Sequence, residues 1–353
     1  MVERKRNGKI SFWKFVFSLL IVAYHVGNYH HTSFFGGGYL GVEFFFIVSG
    51  YYLCKKGLNY KRISDKSIGK ETFQWIISRI KKILPYVVIL WLVGLPISIW
   101  IDKMSLYDFT TALANSLYIP NSGNQLFALY GITWFIVALL IGEAIMFPIL
   151  LKYKENYSSI WSFIITFFLF SYIMIQYGNI NDPWIYGNIS YKGIIRALLD
   201  LNIGICIYTF LDYYKKIKLT DFSKFCLTCL ELIGYGSIIY LSTLEAHRFD
   251  FIALILIILC LSISFSHKGY LMDFSNNKVF YYMEKLSIPI FINQYIFIKL
   301  LAFIMKSCQI NLSIYLEIVI NIVISILFAI LEVKLIKEYQ KNRKKVLSIL
   351  IEE

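Results

Sequence analysis

Two short apolar stretches near the start of the chain carry ionisable residues where such groups are costly. In "SFWKFVFSLLIVAYHVGNYHH", Lys14 and His25 stand eleven residues apart in a run of Phe, Val, Leu, Ile and Ala. In "GGGYLGVEFFFIVSGYYL", Glu43 sits among Leu40, Val42, Phe44, Phe45 and Phe46. At about 100° per residue, Lys14, Ser18, His25 and Asn28 fall on one narrow stripe of a helix. In lipid, such a stripe lines a protein interior or a water-filled cavity, because facing hydrocarbon costs several kcal/mol. Eleven residues of helix rise about 16 Å. A cation at one end and an imidazole at the other suit a long ligand that is anionic at its inner end and reactive at its tip. A carboxylate beside the imidazole would orient it and offset its charge when it takes up a proton, the arrangement of general-base catalysis. Gly41 and Gly50 permit close helix approach, so the second span is expected to press Glu43 toward the first. The plainer alternative has Lys14 and His25 snorkelling to opposite interfaces and Glu43 to the outer surface.

The elements that would position these residues follow from composition. Among 353 residues, 58% are hydrophobic and 18% aromatic, and the mean hydropathy is +0.62. A chain this apolar, with charges bunched between long uncharged runs, reads as a polytopic membrane protein rather than a soluble one. The net charge of +13 does not indicate nucleic-acid binding, because the cations gather between spans and not on one folded surface. The 20-residue rule gives ten spans, at 11–29, 38–54, 83–101, 131–151, 157–177, 194–211, 225–243, 250–266, 286–305 and 312–335. Placing the N-terminus inside puts most of the 35 Lys and Arg residues on the cytoplasmic side. Lys192, Arg196 and Arg248 are then counted outside. The positive-inside rule therefore predicts an all-α integral membrane protein with ten helices, N-in and C-in. Residues 1–353 read as a single transmembrane domain with no appended soluble domain, and the first span as an uncleaved helix. The cysteines are scattered. Cys226 and Cys229 form a lone CxxC without the further ligands zinc would need, so no metal site is expected.

The motifs carry a resemblance. "FWKFVFSLLIVAYH" followed by "GGGYLGVEFFFIVSGYYL" resembles the start of the acyltransferase-3 family, bacterial ten-helix membrane enzymes that O-acylate cell-surface polysaccharides, peptidoglycan or lipid-linked sugars. The family pattern has a basic residue, ten residues, then His, followed by a glycine-rich turn into GV, an acidic residue and FF, ending in SG. Lys14, His25, Gly41, Val42, Glu43, Phe44, Phe45, Ser49 and Gly50 match it. More weakly, "SRIKKILP" is similar to the family's basic stretch at the start of its third helix, and "LSIPIFINQYIF" to a late element. This chain departs from the pattern where Lys14 replaces the usual Arg and Lys82 the second Arg of a pair begun by Arg79. Gln294 also stands where many relatives have His. An ammonium is a point charge and cannot make the bidentate contact of a guanidinium.

The resemblance implies a fold of ten helices in the bacterial plasma membrane. It also implies an O-acetyltransferase-like activity that takes an acyl group, typically acetyl, from cytoplasmic acetyl-CoA. No metal is implied. His25 would act as general base or as a covalent acyl relay, with Glu43 orienting it and Lys14 helping with oxyanion charge. Lys14, Arg79 and Lys82 would meet the polyanionic end of coenzyme A, within a basic loop from Lys55 to Lys82. The acceptor would be a carbohydrate, either a polysaccharide or a lipid-linked sugar. Tyr118, Asn121, Asn124, Trp134, Trp184, Tyr186, Asn188 and Tyr191 on the outer side suit stacking on sugar rings, and equally suit an ordinary interfacial aromatic belt. Two other classes share these features. One is a multi-pass transporter or flippase, given in-membrane polar residues such as Glu143, Asn202, Glu231, Asn293, Lys299, Glu317 and Asn321. The other is a non-catalytic subunit of a polysaccharide assembly system.

Overall fold

In a computed structural model of the chain, described over residues 7–60, 65–108, 110, 133–271 and 277–352, ten α-helices follow one another among the described residues. They are α1 (Gly8–Tyr29), α2 (Gly41–Leu58), α3 (Asp65–Asp102), α4 (Thr133–Asn156), α5 (Ser162–Tyr177), α6 (Lys192–Tyr213), α7 (Asp221–Thr243), α8 (Asp250–Ser266), α9 (Lys278–Cys308) and α10 (Ile314–Glu352). Seven helical stretches are long and apolar enough to cross a membrane, one of them running through α4 and α5 together as Trp134–Tyr177. The chain is therefore an all-helical, multi-pass membrane protein. Helix α8 is shorter but apolar, and α2 carries Glu43, Lys55 and Lys56 within 18 residues.

Local chemistry sets where these helices begin and end. The Asn7 side chain accepts hydrogen bonds from the Lys9 and Ile10 amides and starts α1, supplying an acceptor for donors that no earlier carbonyl can reach. Thr220 and Asn277 do the same for α7 and α9. Gly178, at φ 67°, closes α5 in the left-handed conformation that glycine adopts without penalty. Between α4 and α5, Lys154 leaves helical geometry and Tyr157–Trp161 form a π-helical turn. The Tyr157 hydroxyl there donates to Asn202 of α6 at 2.9 Å.

Helix α3 corrects the expected loop from Lys55 to Lys82. Lys55 and Lys56 close α2, while Arg79 and Lys82 lie within α3, which starts at Asp65. Hydropathy marks where lipid begins and not where a helix begins. The stretch from Asp65 to Lys82 has no proline and is rich in residues that lose little freedom in a helix. Helices α9 and α10 likewise extend beyond the apolar windows that mark them, to Lys278 and Glu352.

The tightest packing joins α2 to α6. A Cβ on Gly50 would stand 2.1 Å from the Leu201 carbonyl oxygen, and one on Gly204 would stand 2.1 Å from that of Ile47. Each helix thus has a glycine against the other's backbone, the small-residue contact that lets membrane helices approach. Gly41 faces α1 instead, against Ile21 and the Phe17 carbonyl. Helix α1 packs chiefly on α9, with Val22 among Leu286, Ile290 and Ala329. Thus α1 is held by α9 on one side and by the α2–α6 pair on another. Gly50→Ala and Gly204→Ala should each cost about 1–3 kcal/mol through overpacking. Gly236→Ala, where a Cβ meets nothing within 4 Å, should be neutral. Thermal unfolding of the detergent-solubilised variants, followed by monodispersity, checks the contrast.

Candidate functional site

Helices α1 and α9 run side by side in a fixed register. At one end Lys14 Nζ lies 2.6 Å from Glu284 Oε1 of α9, and Ser11 Oγ donates to the same carboxylate at 2.8 Å. The ammonium also stands 5.6 Å from the centre of the Tyr52 ring of α2. Toward the other end, the His25 ring packs edge-on against Tyr295 of α9 with centroids 5.9 Å apart, and against Tyr24 at 5.1 Å. His25 is half-buried, and its Nδ1 is enclosed without a hydrogen-bond partner, as is Gln294 Oε1. Of the expected stripe, Lys14 and His25 turn toward α9, while Ser18 bonds to the Phe15 carbonyl and Asn28 is exposed. Lys14, however, meets a carboxylate rather than standing as a bare cation.

Glu43 is placed differently from expectation. Both its hydrogen bonds come from one guanidinium, with Arg196 Nε donating to Oε1 at 2.9 Å and Nη2 donating to the same oxygen. No hydrogen bond joins Glu43 to His25 among the described residues. The cause lies in the glycines, since Gly50 draws α2 onto α6, where Arg196 and Asp200 sit one turn apart. Arg196, counted outside by charge bookkeeping, is 1% exposed, and its guanidinium lies 5.2 Å from the Trp134 ring centre. Asp200 is equally buried, and Asp200 Oδ2 and Glu43 Oε2 lack partners. Sequence reading missed this group although a signal was present: Arg196 and Asp200 are at i, i+4 in the otherwise apolar "IIRALLDLNIGICI".

The expected donor-binding cations fall on α3. Arg79 donates to both oxygens of the fully buried Glu143 of α4, at 2.6 Å and 3.0 Å, and Trp75 Nε1 adds a third bond at 2.9 Å. Lys82 is exposed three residues further on. On the side of the molecule near His25, Trp134 and Trp184 pack at 6.2 Å, and Tyr186 pairs with Tyr191. Tyr118, Asn121 and Asn124 lie outside the described residues. No group of three His, Cys, Asp or Glu side chains that could hold a metal occurs among the described residues.

Most of the other in-membrane polar residues join helices. Lys9 pairs with Glu231 at 2.9 Å, Lys299 with Asp102, and Asn293 with Glu332 at 2.6 Å. His30 Nε2 lies 2.7 Å from Glu317, whereas the Asn321 side chain donates within α10, to the Glu317 carbonyl at 2.9 Å. Beside the Lys9 pair, His267 at the end of α8 is held below its ordinary pKa of 6.5, first by burial and then by Lys9 and Lys55.

With this geometry established, comparison with known proteins adds one finding. A family model described as an acyltransferase domain matches residues 7–332. No curated protein and no solved structure matches the chain significantly.

Two outcomes follow from these pairs. Arg196→Met should destabilise the fold by about 3–5 kcal/mol, because it leaves Glu43 buried and uncompensated, while Glu43→Met with Arg196→Met should recover much of that loss. Thermal melts of the single and double variants test this. Because the folded state disfavours protonated His267, its contribution to stability is present at neutral pH and falls as pH drops through about 6.5. His267→Gln should therefore lose less stability between about pH 7 and 5 than the parent protein does.

Proposed function

The chain belongs to the acyltransferase-3 family, and we propose that it is an integral membrane O-acyltransferase moving an acyl group, acetyl by default, from cytoplasmic acyl-CoA to a hydroxyl of a cell-envelope polysaccharide or lipid-linked sugar. The observation that carries this reading is the α1–α9 seam. It sets a cation–carboxylate pair and a half-buried imidazole about 16 Å apart along one helix. In the ten-span, N-in arrangement in the bacterial plasma membrane, Lys14 lies at the cytoplasmic mouth and His25 toward the outer side. That separation suits a thioester whose anionic end stays near the mouth while its thin arm runs between the helices.

The chemistry assigned to His25 is general-base catalysis. The imidazole takes the proton of the acceptor hydroxyl as its oxygen attacks the thioester carbonyl, the C–S bond breaks, and the thiolate leaves with the proton. Stabilisation of the carbonyl oxyanion falls to polar groups lining the seam. The support for His25 is its position: a half-open ring, framed by Tyr24 and Tyr295, on the polar stripe of α1. Glu43 takes a new role in this reading. Through Arg196 it holds α2 on α6 and so shapes the outer wall, rather than orienting the imidazole directly. Lys14 remains the cation for the donor, reached by exchange with Glu284. Lys82, exposed on α3, is assigned to the cytoplasmic docking surface, while Arg79 is held by Glu143.

The pairing of the in-membrane charges across helices favours this reading over transport, because these groups hold helices together rather than leaving a continuous polar path. The test uses the purified protein in lipid, measuring coenzyme A release from acetyl-CoA with a sugar acceptor present. His25→Ala should lose at least 100-fold in kcat, while Lys14→Ala should raise the donor KM with a smaller change in kcat. Absence of thioester binding and turnover by the parent protein with any candidate acceptor would overturn the enzyme reading.

A further inference from the structure

Resting on the acyl-transfer reading with His25 as the base, we propose that the Lys299–Asp102 pair, with the rings of Tyr29 and Tyr295 beside it, is a subsite that reads two neighbouring hydroxyls of the carbohydrate acceptor. Helices α1 and α9 keep one register along the seam: Lys14 meets Glu284 and, eleven residues on in both helices, His25 packs on Tyr295. Tyr295 also packs edge-on against Tyr29, with centroids 6.4 Å apart. Lys299 follows Tyr295 by four residues, on the same face of α9 and about 6 Å further along it. There its ammonium donates to Asp102 Oδ2, at the last residue of α3. In the N-in arrangement this pair stands one turn outward of the base, on the side from which a cell-surface acceptor arrives.

Exposure separates this pair from those that only fasten helices. In Lys9–Glu231, Arg79–Glu143 and Arg196–Glu43 the carboxylate side chain is 1% exposed or less. The Lys299 and Asp102 side chains are 15% and 22% exposed. Among the described residues, the other buried-to-half-open pair between helices with both partners in reach of solvent is Lys14–Glu284, at the opposite end of the seam. The two half-open pairs therefore bracket His25. The bond between Lys299 and Asp102 is the one hydrogen bond of either side chain among the described residues. An ammonium has three donors and a carboxylate about four acceptor positions, so both keep capacity while staying paired. One hydroxyl can then accept from Lys299 while its neighbour donates to Asp102, and α9 stays fastened to α3. An anionic group would meet Asp102 as well as Lys299, so the pair favours a neutral polyol face, and the phenol rings offer an apolar surface for the sugar's C–H face. A site built to hydrogen-bond a hydroxyl rejects the analogue lacking it, because its own polar groups are left unpaired.

The test uses two variants in lipid. Lys299→Met with Asp102→Leu removes both charges together and strands neither. Asp102→Asn keeps an acceptor for Lys299, and so the link between the helices, in case the double variant does not fold. Saturation-transfer NMR with methyl glycosides of glucose, galactose, mannose and N-acetylglucosamine, and with their monodeoxy analogues, reads the subsite with no donor present and without relying on activity. At least one glycoside should bind the parent protein, and one of its monodeoxy analogues should bind about ten-fold more weakly. The double variant should lose that discrimination, and Asp102→Asn should weaken binding by about three-fold or more. In turnover of acetyl-CoA with the bound glycoside as acceptor, the double variant should raise the acceptor KM by about ten-fold or more while the donor KM stays within about two-fold. Parent-like binding and acceptor KM in both variants would overturn the proposal. So would a parent protein that releases coenzyme A but binds none of the glycosides, which leaves acyl transfer itself standing. A parent that binds them through these residues yet never cleaves acetyl-CoA would sink the acyl-transfer reading and leave the subsite.

Discussion

The contact on which the arrangement turns is the meeting of α2 and α6 through Gly50 and Gly204. Without a hydrophobic force to gather helices inside lipid, close packing and interhelical polar bonds must supply the association. Two glycines set against opposing carbonyls bring the backbones within reach, and only at that separation can Arg196 meet Glu43 inside an apolar layer. The ion pair and the glycine contact depend on each other. The carboxylate would be untenable beside Leu40, Val42 and Phe44 without the guanidinium, and the guanidinium could not approach if either glycine carried a side chain. Helix α1 then packs against the Gly41 end of α2, which sets the ring of His25 relative to the rest of the bundle.

A pattern extends from this pair to the remaining polar groups. Lys9–Glu231, Arg79–Glu143 and Lys299–Asp102 each link two different helices, and His30–Glu317 ties the residue after α1 to α10. Opposite charges brought together in a low-dielectric setting offset the desolvation each would suffer alone. They also reject wrong registers, since sliding one helix past another would separate several pairs at once. The Gln294–His25 neighbourhood stands apart from this pattern. Its buried polar atoms, His25 Nδ1 and Gln294 Oε1, belong to no ion pair between helices.

Much of this was legible in the residues. The polar stripe of α1 follows from helical periodicity alone, and α9, carrying the late element that holds Gln294, proved to be the helix the stripe faces. Apolar windows anticipated an all-helical membrane protein because backbone hydrogen bonding in lipid leaves few options, though seven stretches rather than ten are long and apolar enough to cross among the described residues. What escaped was pairing. Whether Glu43 meets His25 or Arg196 depends on the rotation of α2 about its axis, and that rotation is set by glycines whose partners lie about 150 residues away in sequence. Lys14 posed the same difficulty, because Glu284 occupies the corresponding end of a helix far along the chain. Charge counting placed Arg196 outside because it weighs side chains by loop and does not ask which are enclosed. Hydropathy also began α3 late, since a helix can start before the lipid boundary without an apolar signature.

The Lys14–Glu284 bridge has a consequence for how any anion would be received at that end of the seam. A bare basic patch attracts phosphate by releasing mobile counterions, and its affinity falls steeply with added salt. Here the counterion is built into α9, so an arriving phosphate would exchange with a tethered carboxylate instead of displacing dissolved ions. The displaced carboxylate stays tethered beside Lys14, so the arriving anion adds negative charge there that other contacts must offset. The mouth of the seam would therefore choose among anions by fit and reach, since charge alone does not displace a carboxylate that cannot leave.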